Sequence, residues 1–213
     1  HNTAIGYNAM RSSDSDGQNA NNNVAVGTNA LLAITDGDNN VAVGSGALDA
    51  ITTGSSNIAI GKNSLGVATT SSNTAIGSAA LNTEVEAYGI TAVGYGAFSN
   101  SDRRGGSPTG SAILVGSVAV GYIAGGSTTT GHTNTFIGSY SAYGNTTGGN
   151  NVALGYSALM TPTTSIYNTA IGTNAMSNVK AAVAVDGCVA VGNDALKGNS
   201  SNTTGINHTV AIG

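Results

Sequence analysis

Three pairs of carboxylates stand two residues apart, a spacing that raises the question of acid–base catalysis. On a β-strand this spacing places both side chains on one face about 7 Å apart, between the separations typical of retaining and inverting glycosidases. All the pairs lie in variable links between repeated segments, however, where acidic residues commonly solvate a loop. We therefore predict that the chain is not an enzyme. The pairs are Asp14 and Asp16, Asp36 and Asp38, and Glu84 and Glu86.

Metal binding is the second chemistry that the residue types suggest. The segments "SDSDGQN" and "TDGDNN" are rich in Asp, but an EF-hand loop needs a bidentate Glu at its twelfth position, and counting from Asp14 gives Ala25. The three histidines lie far apart in the chain, and Cys188 replaces an Asn of the repeat, which favours a buried thiol. We expect no metal and no cofactor, with a loosely held surface ion as the open alternative.

Tyrosines and one long insertion carry the third chemistry, recognition of a surface ligand. Several tyrosines directly follow a repeated glycine, and an exposed aromatic ring beside hydroxyl and amide groups suits contact with a saccharide. The alternative is that these rings pack laterally on neighbouring repeats. Insertions in repeat proteins commonly emerge on one side and carry binding residues, and the longest here spans 99–117. We therefore predict a receptor-binding set: Asp102, Arg103, Arg104, Tyr95, Tyr122 and Tyr156.

The composition excludes several classes of partner. Only 8% of the 213 residues are charged, 40% are apolar, and the formal net charge is −4. Six Lys and Arg scattered over the chain give no electrostatic footprint for nucleic acid or anionic lipid. No run of 18 or more apolar residues occurs, so we expect no membrane insertion in this segment.

A short sequence motif that ends in glycine, called the phrase below, recurs along the whole chain. Its repetition must determine where the candidate acidic, tyrosine and metal-binding residues lie. The phrase occurs in twelve copies, and the commonest spacing between successive glycines is 17 residues. Self-similarity at a fixed period is the signature of a repeat architecture. Helical repeats are disfavoured because Gly and Asn-Ser-Thr runs interrupt every unit. The glycines are Gly6, Gly27, Gly44, Gly61, Gly77, Gly94, Gly121, Gly138, Gly155, Gly172, Gly192 and Gly213.

Each phrase predicts one short strand. A β-branched residue, an Ala and an aliphatic residue precede the glycine, so the first and third side chains share one face of the strand. We expect the aliphatic residues, such as Val26, Val43 and Ile60, to stack into a continuous core. The Ala column would then lie on the other face, either in a tight turn within the coil or against partner chains about an axis.

The rest of the unit predicts how the coil closes. The glycine supplies a bend that a residue with a Cβ would resist, and the following Leu, Met or Phe folds back into the core. The Asn four residues before the glycine suits a turn or an amide ladder, in which side chains of successive coils hydrogen-bond along the stack. These features predict an all-β fold, a parallel β-solenoid of about eleven coils that extends for about 50 Å.

The phrase "N-T/V-A-I/V-G-x-x-A-L" resembles the head repeats of trimeric autotransporter adhesins, which form left-handed parallel β-rolls assembled as homotrimers. The link "N-T-T-G-x-N-N" at 145–151 resembles repeats of bacteriophage tail fibre proteins. The resemblance implies a structural and adhesive module of a tail fibre or similar virion appendage, which presents loops to a host-surface glycan or protein receptor. The alternative that it implies is the head domain of an adhesin on the bacterial cell surface.

We interpret residues 1–213 as a single solenoid region, because the chain begins and ends inside copies of the phrase. It would thus be a segment of a longer fibrous protein. Lengthened links interrupt the regular period and are expected to form loops on the rod. These insertions are 11–22, 99–117, 177–187 and 197–208.

Overall fold

The chain forms a parallel β-solenoid of three-residue strands. The computed structural model describes residues 1–11, 19–66, 71–82, 86–99, 113–178, 185–198 and 207–213, and within these ranges there is no α-helix. The strands are β1 Thr3–Ile5, β2 Val24–Val26, β3 Val41–Val43, β4 Ile58–Ile60, β5 Thr74–Ile76, β6 Glu86–Tyr88, β7 Thr91–Val93, β8 Ile113–Val115, β9 Val118–Val120, β10 Thr135–Ile137, β11 Val152–Leu154, β12 Thr169–Ile171, β13 Val189–Val191 and β14 Val210–Ile212.

The repeated strands stack into one continuous ladder. Twelve of them form a single sheet in chain order, with β7 paired directly to β9 across the longest insertion. All pairs are parallel and in register, so that Val26 lies beside Val43 and Val43 beside Ile60. The structure confirms the predicted all-β solenoid with a period of about 17 residues, and it completes about 10 turns.

The strands turn the opposite face inward from the one that we predicted. The Ala of each internal strand is fully buried, as at Ala42 and Ala59, whereas the flanking Ile58 and Ile60 are each 39% exposed. The expectation that the aliphatic column forms the core is therefore wrong, and the Ala column is not available to a partner. The reason is space, because a coil of this length is thin and side chains from the opposite wall already fill it.

Those opposing side chains are the Leu, Met and Phe residues that follow the glycine. Leu31, Leu48 and Leu65 are fully buried, as are Phe98 and Met176, which confirms that this position folds back into the core. Leu31 and its equivalents adopt a left-handed backbone near φ +50°. That conformation costs about 1–2 kcal/mol per residue, and burying a Leu side chain returns about as much.

Phe136 is the one exception in the Ala column, and neighbouring coils compensate for its size. Gly125 and Ala142 occupy the core position that holds Leu in most coils. A Cβ at Gly125 would lie 2.6 Å from Phe98 Cε1 and 2.8 Å from Phe136 Cδ2. The two rings pack with centroids 5.9 Å apart and are fully buried. The small residues Gly125 and Ala142 thus leave the space in the core that the Phe136 ring occupies.

The repeated glycines form a column in which successive backbones touch. Gly61 has φ +131°, and a Cβ built on it would lie 2.6 Å from both the carbonyl carbon and the oxygen of Gly77. The Gly61 amide also donates to the carbonyl of Val43 on the preceding coil at 2.8 Å. Glycine is required here both by the backbone angle and by the close approach of the next coil.

The Asn residues before the strands form a buried ladder of amides. Asn40 Oδ1 accepts hydrogen bonds from the backbone N and the Nδ2 of Asn57, each at 3.0 Å. Asn40 Nδ2 donates to Asn23 Oδ1 at 3.1 Å and to the carbonyl of Gly54 at 2.9 Å. Of the two predicted roles, the structure therefore shows the ladder. It satisfies polar groups that the thin coil buries.

The Asn ladder is interrupted in the two coils on either side of the longest insertion. Ile90 and Ser117 replace Asn there, and Ser117 Oγ accepts a hydrogen bond from the backbone N–H of Asn134 at 3.0 Å. Beside this break, β6 and β8 pair in parallel as a separate two-stranded sheet. Part of the lengthened links thus forms β-structure outside the main sheet.

Candidate functional site

The predicted receptor-binding residues divide into two groups. Asp102, Arg103 and Arg104 lie outside the described residues, as do most residues of the four insertions. The tyrosines are described, and all three are exposed: Tyr95 by 55%, Tyr122 by 46% and Tyr156 by 54%. The candidate site is therefore built from the tyrosines.

The structure brings these three tyrosines together with a fourth, Tyr140, in one continuous row. The rings of Tyr95 and Tyr122 are stacked, with centroids 5.3 Å apart and planes inclined by 14°. Tyr122 and Tyr140 meet edge to face at 5.4 Å, and Tyr140 meets Tyr156 in the same way at 6.3 Å. Tyr143 flanks the row, with its ring 5.9 Å from that of Tyr140. We call Tyr95, Tyr122, Tyr140 and Tyr156 the tyrosine ladder.

The in-register stack of coils creates this ladder. Tyr95, Tyr122 and Tyr156 each directly follow a repeated glycine, so the stack places them above one another. The coil between Tyr122 and Tyr156 has Ser139 at this position, and Tyr140, one residue later, supplies the ring instead. Tyr140 lies near the repeated position in the sequence, but the predicted binding set left it out because it is one residue out of the pattern. The sequence does contain a signal for it: Ser139 interrupts the row of tyrosines after the repeated glycines, and Tyr140 is the next residue.

Three of the four ladder tyrosines, Tyr122, Tyr140 and Tyr156, lie in a long stretch of sequence without charged residues. From residue 105 to residue 179 the sequence has no Asp, Glu, Lys or Arg. Desolvation, together with the neighbouring Tyr122 hydroxyl, raises the pKa of Tyr140 above its usual value. The part of the ladder from Tyr122 to Tyr156 thus offers aromatic surface and hydroxyl groups within an uncharged stretch of sequence.

A second candidate surface is the outward face of the sheet. The aliphatic residues on either side of the buried Ala point outward, and many are more than a third exposed, such as Ile137 at 38% and Leu154 at 43%. The register of the sheet aligns the residues before the glycine in one aliphatic column along the rod, while the second outward column holds Val or Ile in some strands and Thr in others, as at Thr135 and Thr169. We call this surface the aliphatic face. Contiguous exposed apolar surface of this kind is typical of an interface with another molecule.

Asp36 and Asp38 are the carboxylate pair of which both residues lie in strand-free links that the structure describes, and Asp38 hydrogen-bonds to both neighbouring coils. Asp38 Oδ1 accepts the backbone amide of Asn21 on the preceding coil at 2.7 Å, and the Asp38 amide donates to Ser55 Oγ at 3.0 Å. Asp36 is exposed. Asp38 therefore helps to join successive coils. Asp14, Asp16 and Glu84 lie outside the described residues.

The remaining polar candidates do not form a cluster. Among the described residues, no group of three or more His, Cys, Asp or Glu could hold a metal ion. Cys188 is buried at the position of the Asn ladder, as predicted, and its Sγ accepts the amide of Thr209 at 3.4 Å. The described parts of the chain also contain no helix with the length and apolar character needed to cross a bilayer.

We compared the chain with known protein families, curated proteins and solved structures. No protein-family model matches the chain, and no curated protein or solved structure matches it significantly. The fold and the two surfaces described above therefore carry the functional conclusion.

Proposed function

We propose that this chain is a non-enzymatic rod that assembles as a homotrimer in a bacteriophage tail fibre or similar virion appendage and attaches to a glycan or protein receptor on a host surface. The observation that carries the proposal is the aliphatic face, because it runs along the rod and exposes apolar side chains that a solitary chain would leave in water. The low charge and the scattered basic residues argue against nucleic acid as a partner.

The geometry of the stack favours assembly about an axis parallel to the rod. Every internal rung presents the same two outward positions, as Val41 and Val43 do on β3. Copies placed side by side around such an axis would cover these positions at every rung. The choice of three copies comes from the resemblance of the repeat phrase to adhesin heads and tail fibres. The buried Ala column no longer supports it.

Charging the aliphatic face should dissociate the assembly. We expect the wild-type protein to have three times the chain mass of 20.7 kDa and the double variant Ile58→Lys/Ile60→Lys to sediment as a monomer. Both side chains are 39% exposed in the single chain, so the fold tolerates lysine there, whereas an interface would bury unpaired charges. Sedimentation equilibrium at micromolar concentration measures the masses, and circular dichroism checks that the β-signal is retained.

Thr53→Lys is the matched control, because Thr53 is an exposed polar residue in the link of the same coil. This variant should keep the wild-type mass. A monomeric wild-type protein, or a double variant with the wild-type mass, would contradict the proposed assembly.

A second candidate is the head domain of a bacterial trimeric autotransporter adhesin, favoured by the phrase "NTAIG" and its relatives, which occur along the whole rod. The two candidates differ in the surface to which the protein attaches. Fluorescently labelled protein should decorate bacterial envelopes if it belongs to a tail fibre, and animal extracellular matrix if it belongs to an adhesin. Attachment to neither surface would contradict both.

A further inference from the structure

We propose that the tyrosine ladder is a binding site for an extended stretch of uncharged glycan that lies along the rod axis. This inference rests on the proposed adhesive function and deepens it by assigning the site and the chemical class of the ligand. It also implies that the charged residues 102–104 are not needed for this contact.

The ladder supplies the two kinds of contact that a sugar ring needs. A pyranose has C–H faces that pack on aromatic rings and hydroxyls that exchange hydrogen bonds. Tyr140 is turned by 72° from Tyr122 and by 84° from Tyr156, so the patch presents aromatic rings in differing orientations, each with a phenolic hydroxyl. Tyrosine suits such a surface because one end of its side chain is apolar and the other is polar.

The spacing of the rings favours an oligosaccharide over a single sugar as the ligand. Neighbouring ladder rings are 5.3, 5.4 and 6.3 Å apart, because the coils themselves repeat at about the spacing of β-strands. This repeat is close to the length of one pyranose unit in an extended polysaccharide. Four rings in a row can therefore contact several consecutive sugars in the same register.

The absence of charge selects among glycans. An acidic glycan would need Lys or Arg, and residues 105–179, which include Tyr122, Tyr140 and Tyr156, contain neither. The same residues contain no carboxylate for a cationic ligand, and an exposed cation–π contact alone is weak. An uncharged ligand needs no ionic partner here. Its binding should therefore be insensitive to salt.

The fold does not require these tyrosines. The same position directly after the glycine holds Thr28, Ser45, Ser78 and Thr173 in other coils, and those coils stack in the same register. Tyr122 is 46% exposed and Tyr156 is 54% exposed, so neither ring is sealed in the core. The rings do pack on neighbouring coils, which was the alternative to ligand contact, and these contacts add to the stability of the rod. The coils with Thr or Ser show that the fold forms without them, so the rings remain available for a second role.

The test is to titrate the assembled protein with defined oligosaccharides. The uncharged probes are linear hexamers of β-linked glucose, α-linked mannose and N-acetylglucosamine; oligogalacturonate is the acidic probe and tetramethylammonium the cationic one. The chain has no Trp, and four of its 8 Tyr form the ladder, so the change in tyrosine fluorescence that is lost in a ladder variant reports on the ladder. We expect at least one uncharged hexamer to bind, with the same affinity in 50 mM and 500 mM salt.

Tyr122→Ser should weaken that binding by about tenfold, or about 1.4 kcal/mol, because it removes one aromatic contact. Tyr7→Ser is the matched control, since Tyr7 occupies the same position in the first coil and has no described ring contact. The control should bind like the wild type, and both variants should keep the wild-type mass.

Three results would overturn the inference: no uncharged hexamer binds, only the acidic or cationic probe binds, or Tyr122→Ser binds as well as Tyr7→Ser. A changed oligomeric mass in Tyr122→Ser would also overturn it, because the ladder would then be an interface between copies. Wild-type protein that attaches to envelopes, with Tyr122→Ser attaching equally, would remove the ladder site while the proposed adhesive function stands. Wild-type protein that attaches to no surface would instead remove that function.

Discussion

Replacing Gly61 by alanine should lower the free energy of unfolding by about 3 kcal/mol or more, the combined effect of a left-handed backbone and a backbone clash. The added Cβ would lie 2.6 Å from the Gly77 carbonyl and 2.9 Å from the Ser78 amide nitrogen. Neither is the end of a flexible side chain, so relief requires two coils to separate. Urea unfolding followed by circular dichroism, at one fixed protein concentration, measures the loss.

Gly89→Asn is the control for this prediction. Gly89 also has a positive φ, +64°, but a Cβ there would meet nothing within 4 Å. The equivalent position in other coils holds Asn22, Asn39 and Asn150, all near φ +60°. We expect a change within about 0.5 kcal/mol, because asparagine tolerates this conformation and the site is open. Equal losses in the two variants would show that the contact between coils is not what requires glycine at Gly61.

Replacing Asn40 by alanine should cost about 3 kcal/mol, because it leaves buried polar groups without partners. The Asn40 side chain takes part in four hydrogen bonds, two with Asn57, one with Asn23 and one with the carbonyl of Gly54. Asn40 is fully buried, so water cannot replace those hydrogen bonds. The same urea unfolding experiment measures the effect.

Asn40→Ser separates the loss of hydrogen bonds from the loss of volume. Ser117 occupies the equivalent position in another coil, and its hydroxyl accepts the amide of Asn134 at 3.0 Å. A serine at Asn40 can therefore still accept the Asn57 amide, and we expect it to lose about half as much stability as the alanine variant. An alanine variant as stable as the serine variant would show that the amide ladder contributes little.

The architecture could be predicted from sequence because it follows from repetition. A period of 17 residues, the required glycine and a strand too short to stand alone leave parallel stacking as the way to satisfy the backbone. The return of Leu48 to the core and the Asn ladder follow from the same reasoning. Both depend only on the identity of equivalent residues in successive coils.

Which strand face is buried could not be predicted in this way. Alternation requires Val41 and Val43 to share a face opposite Ala42, but it does not say which face turns inward. The usual preference for burying larger apolar residues pointed to the wrong face. The deciding quantity is the width of the coil interior, which Leu48 and Ile51 of the opposing wall already fill.

The candidate site was predictable in part for the same reason. Tyr95, Tyr122 and Tyr156 share one position of the repeat, so their alignment follows from the period. Tyr140 lies at the next position of the repeat, whose backbone is left-handed in the neighbouring coils as well, with φ +52° at Ile123 and +53° at Ser157. Its ring contacts Tyr122 and Tyr156 through the direction of its side chain. A conformational detail of this kind is not expressed in the spacing of residues.

The identical register of neighbouring strands has a consequence for how such a protein can change in evolution. Since each rung offers its neighbours the same donors, acceptors and surface, loss or duplication of one 17-residue unit would shorten or lengthen the shaft by about 4.8 Å without disturbing the remaining rungs. Length can thus be inherited in discrete steps, independently of whatever is displayed along the sides.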